Sequence, residues 1–69
     1  MLLSARNQFP GKVLSVEKGA VNSIVRMEVL GGNTLSATIS NMAAAELGLA
    51  EGVEALAVIK ATSVMVGVD

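Results

Sequence analysis

Ser4-Ala5-Arg6-Asn7-Gln8 sets a hydroxyl, a guanidinium and two amides within one short stretch, directly ahead of an apolar segment. Far along the chain, a second apolar run stops on Lys60-Ala61-Thr62-Ser63, a cation followed by two hydroxyls. Between them the two stretches offer fixed positive charge and short O–H donors, and no general base. That set suits an oxyanion. An arginine fork donates several N–H bonds in fixed geometry, and a lysine adds a point charge. Each stretch alone also fits an ordinary solvated strand end, so residue type by itself leaves both readings open.

Other chemistry is poorly served. The chain has no histidine and no cysteine, which removes the usual bases, thiols and structural metal ligands. Glu17, Glu28, Glu46, Glu51, Glu54 and Asp69 fall mainly at strand ends, turns and exposed helix positions, where they read as solubilising charge. The glycines are dispersed among turns and form no phosphate-binding fingerprint. Catalysis is not expected. Nucleic acid is disfavoured as well: the net charge is −1, the five basic residues are scattered, and there is no Trp or Tyr to stack on bases. No apolar run approaches the roughly 20 residues of a membrane span, and the opening residues lack a signal-peptide pattern. A cytoplasmic protein is expected.

The elements that must carry the two polar stretches are short. Phe9-Pro10-Gly11 reads as a bend or strand-edge irregularity, because Pro10 cannot donate to a ladder. Lys12 to Glu17 is a first strand, and Lys18-Gly19 a turn. Val21 to Leu30 alternates over ten residues, with Val21, Ser23, Val25, Met27 and Val29 on one face. Gly31-Gly32-Asn33 suits a hairpin turn, since these residues tolerate positive φ. Thr34 to Ile39 resumes alternation and should pair antiparallel with the strand before it. Ser40 or Asn41 then caps a short helix over Met42 to Leu47, which Gly48 ends. Val53 to Ile59 is almost continuously apolar, as expected of a strand covered on both faces. Val64 to Val68 is a last strand. The sum is an all-β fold: a five-stranded OB-like Greek-key barrel with one short helix between strands three and four. Residues 1–69 are expected to form a single domain.

A domain of 69 residues buries only about 60% of the surface its unfolded chain exposes. Yet 52% of its residues are apolar, almost all of them small and aliphatic, with Phe9 the one aromatic. A single small barrel cannot hide them all, so part of that surface should be an interface between copies.

Three segments, in order and at this spacing, closely resemble the molbindins, small bacterial molybdate- and tungstate-binding proteins. The first is Ser4-Ala5-Arg6-Asn7-Gln8 with Gly11 and Val13. The second runs from Ile39-Ser40-Asn41 through Met42-Ala43-Ala44-Ala45-Glu46-Leu47-Gly48-Leu49, with Gly52 after it. The third is Ile59-Lys60-Ala61-Thr62-Ser63-Val64. The resemblance covers essentially the whole chain. It implies an OB-like fold, a homohexamer built as a trimer of dimers, and molybdate or tungstate bound between subunits. On matching positions, Ser4, Arg6, Lys60 and Thr62 would come from one subunit, and Ser40 and the backbone around Ala43 from its neighbour. Where some relatives carry a hydroxyl, this chain has Ala43, so only the amide is available there. The role implied is intracellular storage or homeostasis of the anion. The alternative is a structural or oligomerisation module of the same fold without specific oxyanion binding.

Overall fold

A computed structural model of the chain describes residues 4–69. Four strands and one helix follow in the order β1 (Asn7–Lys18), β2 (Asn22–Val29), β3 (Thr34–Ser40), α1 (Asn41–Glu46) and β4 (Glu54–Ile59). The strands form one antiparallel sheet in the order β3-β2-β1-β4.

Strand β2 follows its alternation closely. Ser23, Val25, Met27 and Val29 are buried, and the residues between them are exposed. In β1 the pattern is less regular because the strand carries a bulge between Val13 and Ser15. The bulge resets the pleat, so that Val13 pairs with Met27 and Val16 with Val25 on the same inner face. Val13 is tied on its other side as well. Its N–H donates to the Val53 carbonyl at 2.8 Å, and its carbonyl accepts from Gly52 at 2.9 Å. Val13, Val25 and Met27 are the buried centre of the core, with Val16, Ile39, Leu49, Ala55 and Ala57 packed against them.

The hairpin joining β2 and β3 turns through Leu30–Gly32, and the Val29 N–H donates to the Asn33 carbonyl at 2.8 Å. Helix α1 takes Ser40 as its N-cap, with Ser40 Oγ accepting from the Ala43 N–H at 3.0 Å. Its other end is a left-handed Gly48 at φ 65. There the Gly48 N–H donates to the Ala45 carbonyl and the Leu49 N–H to the Ala44 carbonyl, each at 3.1 Å. This is the paired closure that satisfies the last helical carbonyls.

Three expectations are corrected. Strand β1 begins at Asn7, so Phe9-Pro10-Gly11 lies inside it. Pro10 is tolerated because β1 has β2 beside it only from Gly11 onward. At Pro10 its one ladder partner is Leu56 of β4. Second, β4 is an edge strand whose Ala55, Leu56, Ala57 and Ile59 are only half-buried. Its apolar run calls for cover that one copy does not supply. Third, Val64 to Val68 forms no strand, so the sheet has four strands among the described residues and not five. The period is present there, but among the described residues it joins no strand of the sheet.

Candidate oxyanion site

The pairing of β1 with β4 builds the site. It sets Asn7 opposite Ile59, and Asn7 Nδ2 donates to the Ile59 carbonyl at 3.3 Å. The residues leading into β1 therefore lie beside those leaving β4. Ser4, Ala5 and Arg6 share a hollow of about 160 Å3 with Lys60, Ala61 and Thr62. Two local features shape its walls. Gln8 Nε2 donates to the Ala5 carbonyl at 2.9 Å, folding the lead-in back on itself. On the other side Lys60 is extended and Ala61–Ser63 make a tight turn, with the Ser63 N–H donating to the Lys60 carbonyl at 2.9 Å.

The lining is thus two cations, two hydroxyls and two alanines, with no carboxylate in it. Every charged or hydrogen-bonding side chain there is a donor, or in Ser4 and Thr62 can act as one. Arg6, Lys60, Ser4 and Thr62 are all exposed. In that setting water screens each charge, and a single exposed ion contact contributes little. The hollow is therefore open to solvent.

Ser40 and Ala43 do not line this hollow. They meet at the junction of β3 and α1, where the Ala43 amide is already engaged by Ser40 Oγ. The Ser40 hydroxyl keeps its own proton and can donate outward while it accepts. The Ala43 amide can serve an external acceptor only by giving up the cap.

A further set of residues holds that junction in place. Ser23, buried on the inner face of β2, donates from Oγ to Asn41 Oδ1 at 2.5 Å. Asn41 Nδ2 donates to the Gly19 carbonyl at 2.9 Å, and the Asn41 N–H to the Val21 carbonyl at 2.8 Å. The start of α1 is pinned in this way to the turn between β1 and β2. The signal for it in the sequence is small: one serine among the inward valines and methionine of β2.

The TOBE domain family model matches residues 3–66. The chain belongs to the TOBE-domain family. It is 59% identical over 69 residues, all of both chains, to a probable molybdenum-pterin-binding protein of Haemophilus influenzae. Among solved structures it is similar to apo MopII of Clostridium pasteurianum. There the TM-score is 0.92 and the identity 45%, over 97% of this chain and all of the other. It also resembles the cytoplasmic molybdate-binding protein ModG, solved with molybdate bound. That match has a TM-score of 0.84 and 44% identity, over 88% of this chain and 43% of the other. These are Mop-type relatives, as the three sequence segments imply.

Proposed function

We propose that this TOBE-family chain binds molybdate or tungstate as the free oxyanion, at sites between subunits of a homo-oligomer. The observation that carries the reading is the gathering of Ser4, Arg6, Lys60 and Thr62 from opposite ends of the chain into one all-donor hollow. The molybdenum-pterin-binding and molybdate-binding names of its relatives support it.

The chemistry follows from the residues. A tetrahedral dianion with no proton on its oxygens accepts at every one of them, so a site made only of donors suits it. Arg6 and Lys60 neutralise its charge, and the Ser4 and Thr62 hydroxyls add direction. Phosphate is partly protonated at neutral pH and would set a donor against a donor. Sulfate carries the right charge on shorter bonds, so it is rejected by size once the cavity is closed. Closure is the task of a neighbouring subunit, which contributes the Ser40 hydroxyl and the backbone around Ala43. That cover removes water from Arg6 and Lys60 and strengthens both interactions. Binding is then linked to assembly, because a ligand held only by the oligomer stabilises it by mass action.

In this reading residues 1–69 work as one module that binds and releases, and catalyses nothing. The oligomer is a hexamer, a trimer of dimers, that stores or buffers the anion in the cytoplasm. Native mass spectrometry of the protein titrated with molybdate, and separately with sulfate, tests it. A hexamer that takes up several molybdates and no sulfate is expected. A monomer indifferent to both would overturn the reading.

A further inference from the structure

A serine on an apolar face needs a reason. Ser23 is 1% exposed and shares the inner face of β2 with Val25, Met27 and Val29. A buried hydroxyl without a partner is costly, and the acceptor for this one is Asn41 Oδ1 at 2.5 Å. With its oxygen taken by that hydroxyl, the Asn41 amide turns Nδ2 to the Gly19 carbonyl at 2.9 Å. The Asn41 main-chain N–H reaches the Val21 carbonyl at 2.8 Å. Asn41 thus grips alternate residues, Gly19, Val21 and Ser23, of a single segment. That segment is itself closed, because the Gly19 N–H donates to the Asn22 carbonyl at 2.8 Å. A Cβ on Gly19 would crowd the same oxygen.

These bonds do not use the helix cap. The cap is separate and exposed: Ser40 Oγ accepts from the Ala43 N–H at 3.0 Å. Helix α1 has 6 residues, too few to hold their shape by propensity. In a helix of that length, unsupported loss of the cap frays the first turn. Here the first residue of the helix is anchored through Asn41, and its inner side through the buried Ala44. The cap is therefore a bond that the fold can release. That matters for an oxyanion, because Ser40 Oγ and the Ala43 N–H face each other in the free protein.

We propose that Asn41, oriented by Ser23, is the positioning residue for the Ser40 arm of the oxyanion site. It fixes the start of α1, so that Ser40 Oγ and the Ala43 N–H can leave each other for the anion while the helix stays in place. The inference rests on the reading that Ser40 faces the anion from a neighbouring subunit. Ser23 acts through Asn41, and Asn41 acts through Ser40; neither has to touch the ligand.

Two measurements test it. The first, made without oxyanion, is amide hydrogen exchange at Leu47, whose N–H closes α1 onto the Ala43 carbonyl. It is read against the Val13 N–H of the core, which reports global opening. Ser40→Gly removes the cap alone and should leave the relative rate at Leu47 within about twofold of the parent. Asn41→Ala should raise it by about tenfold or more. Equal acceleration in both variants would overturn the anchoring. The second is an affinity cycle for molybdate, read by titration calorimetry at a temperature where every variant is folded. Asn41→Ala should weaken binding by about tenfold in the parent, and by less than about twofold in the Ser40→Gly background. A merely structural role gives the same loss in both backgrounds, and that result would overturn the proposal. So would unchanged affinity in Asn41→Ala. Ser23→Ala keeps the bonds to Gly19 and Val21, and it takes the place of Asn41→Ala in the cycle if that variant does not fold. Its loss of affinity should depend on Ser40 in the same way, and a loss independent of Ser40 would contradict the proposal. A parent that binds no molybdate would overturn the oxyanion reading and this positioning role together, while exchange at Leu47 would still decide whether Asn41 anchors α1.

Discussion

Asn7 and Ile59 lie 52 positions apart in the chain, yet they face each other across β1 and β4, with the Asn7 amide bonded to the Ile59 carbonyl at 3.3 Å. That one register brings Arg6 and Lys60 to the same hollow. Slipping it by one residue would move every side chain of β4 to the opposite face, and would part the two cations as well. The site is therefore a property of strand pairing more than of either polar stretch.

In the proposed reading Arg6 supplies the fork. Arg6→Ala should weaken molybdate binding by about 10- to 100-fold, the value of one or more charge-assisted hydrogen bonds. It should leave thermal stability nearly unchanged, because the side chain is exposed. Arg6→Lys should recover part of the loss, since charge returns without the fork. Titration calorimetry beside a thermal melt separates the two effects. Equal affinity in Arg6→Ala would remove this residue from the site.

In the proposed reading Ser40 has two tasks. As N-cap of α1 it accepts from the Ala43 N–H, so Ser40→Ala should cost about 1 kcal/mol of stability. Ser40→Gly should cost only a few tenths of that. Both should weaken oxyanion binding alike, because both lack the hydroxyl. Matching losses of affinity with unequal melting temperatures are the expected pattern, and affinities that track stability would contradict it.

The contact between Ser23 and Asn41 can be measured as a cycle. Asn41→Ala leaves the buried Ser23 hydroxyl without its acceptor, at a cost of about 1 to 3 kcal/mol. Adding Ser23→Ala to that background removes the orphaned group, so the double variant should be less destabilised than the sum of the single ones. Strict additivity in chemical denaturation would show that the two side chains do not act as a pair.

Gly11 is fixed by crowding. A Cβ there would collide with the Glu28 carbonyl oxygen on the neighbouring strand, and that oxygen belongs to backbone that can move only with the ladder. Gly11→Ala should lower stability by about 1 to 3 kcal/mol, as overpacking does. A melting temperature equal to that of the parent would contradict the close approach.

Much of the fold is legible in the sequence, for reasons that differ by element. The ten-residue alternation of β2 states which face is buried, and the buried Ser23, Val25, Met27 and Val29 follow it. The end of α1 is announced by Gly48, a residue suited to its left-handed position. The start of β1 is not legible, because Pro10-Gly11 normally punctuates a chain. Only the register shows that Pro10 faces a single neighbouring strand. The bulge after Val13 is hidden for a similar reason: it depends on what β2 places opposite. Val64 to Val68 has the period of a strand, but periodicity does not supply an edge to pair with, and no strand forms there. In the candidate site, residue types are legible at Arg6 and Lys60, whereas their nearness is not. It is set by a pairing between residues far apart in sequence.

The most direct test is a crystal of the protein grown with tungstate, with data collected at the tungsten absorption edge. The strongest anomalous peak should lie within hydrogen-bonding reach of the Arg6 guanidinium and Lys60 Nζ of one subunit and of Ser40 of its neighbour. A peak bounded by other residues, or none above background in a fully assembled crystal, would contradict the assignment of the oxyanion to this hollow.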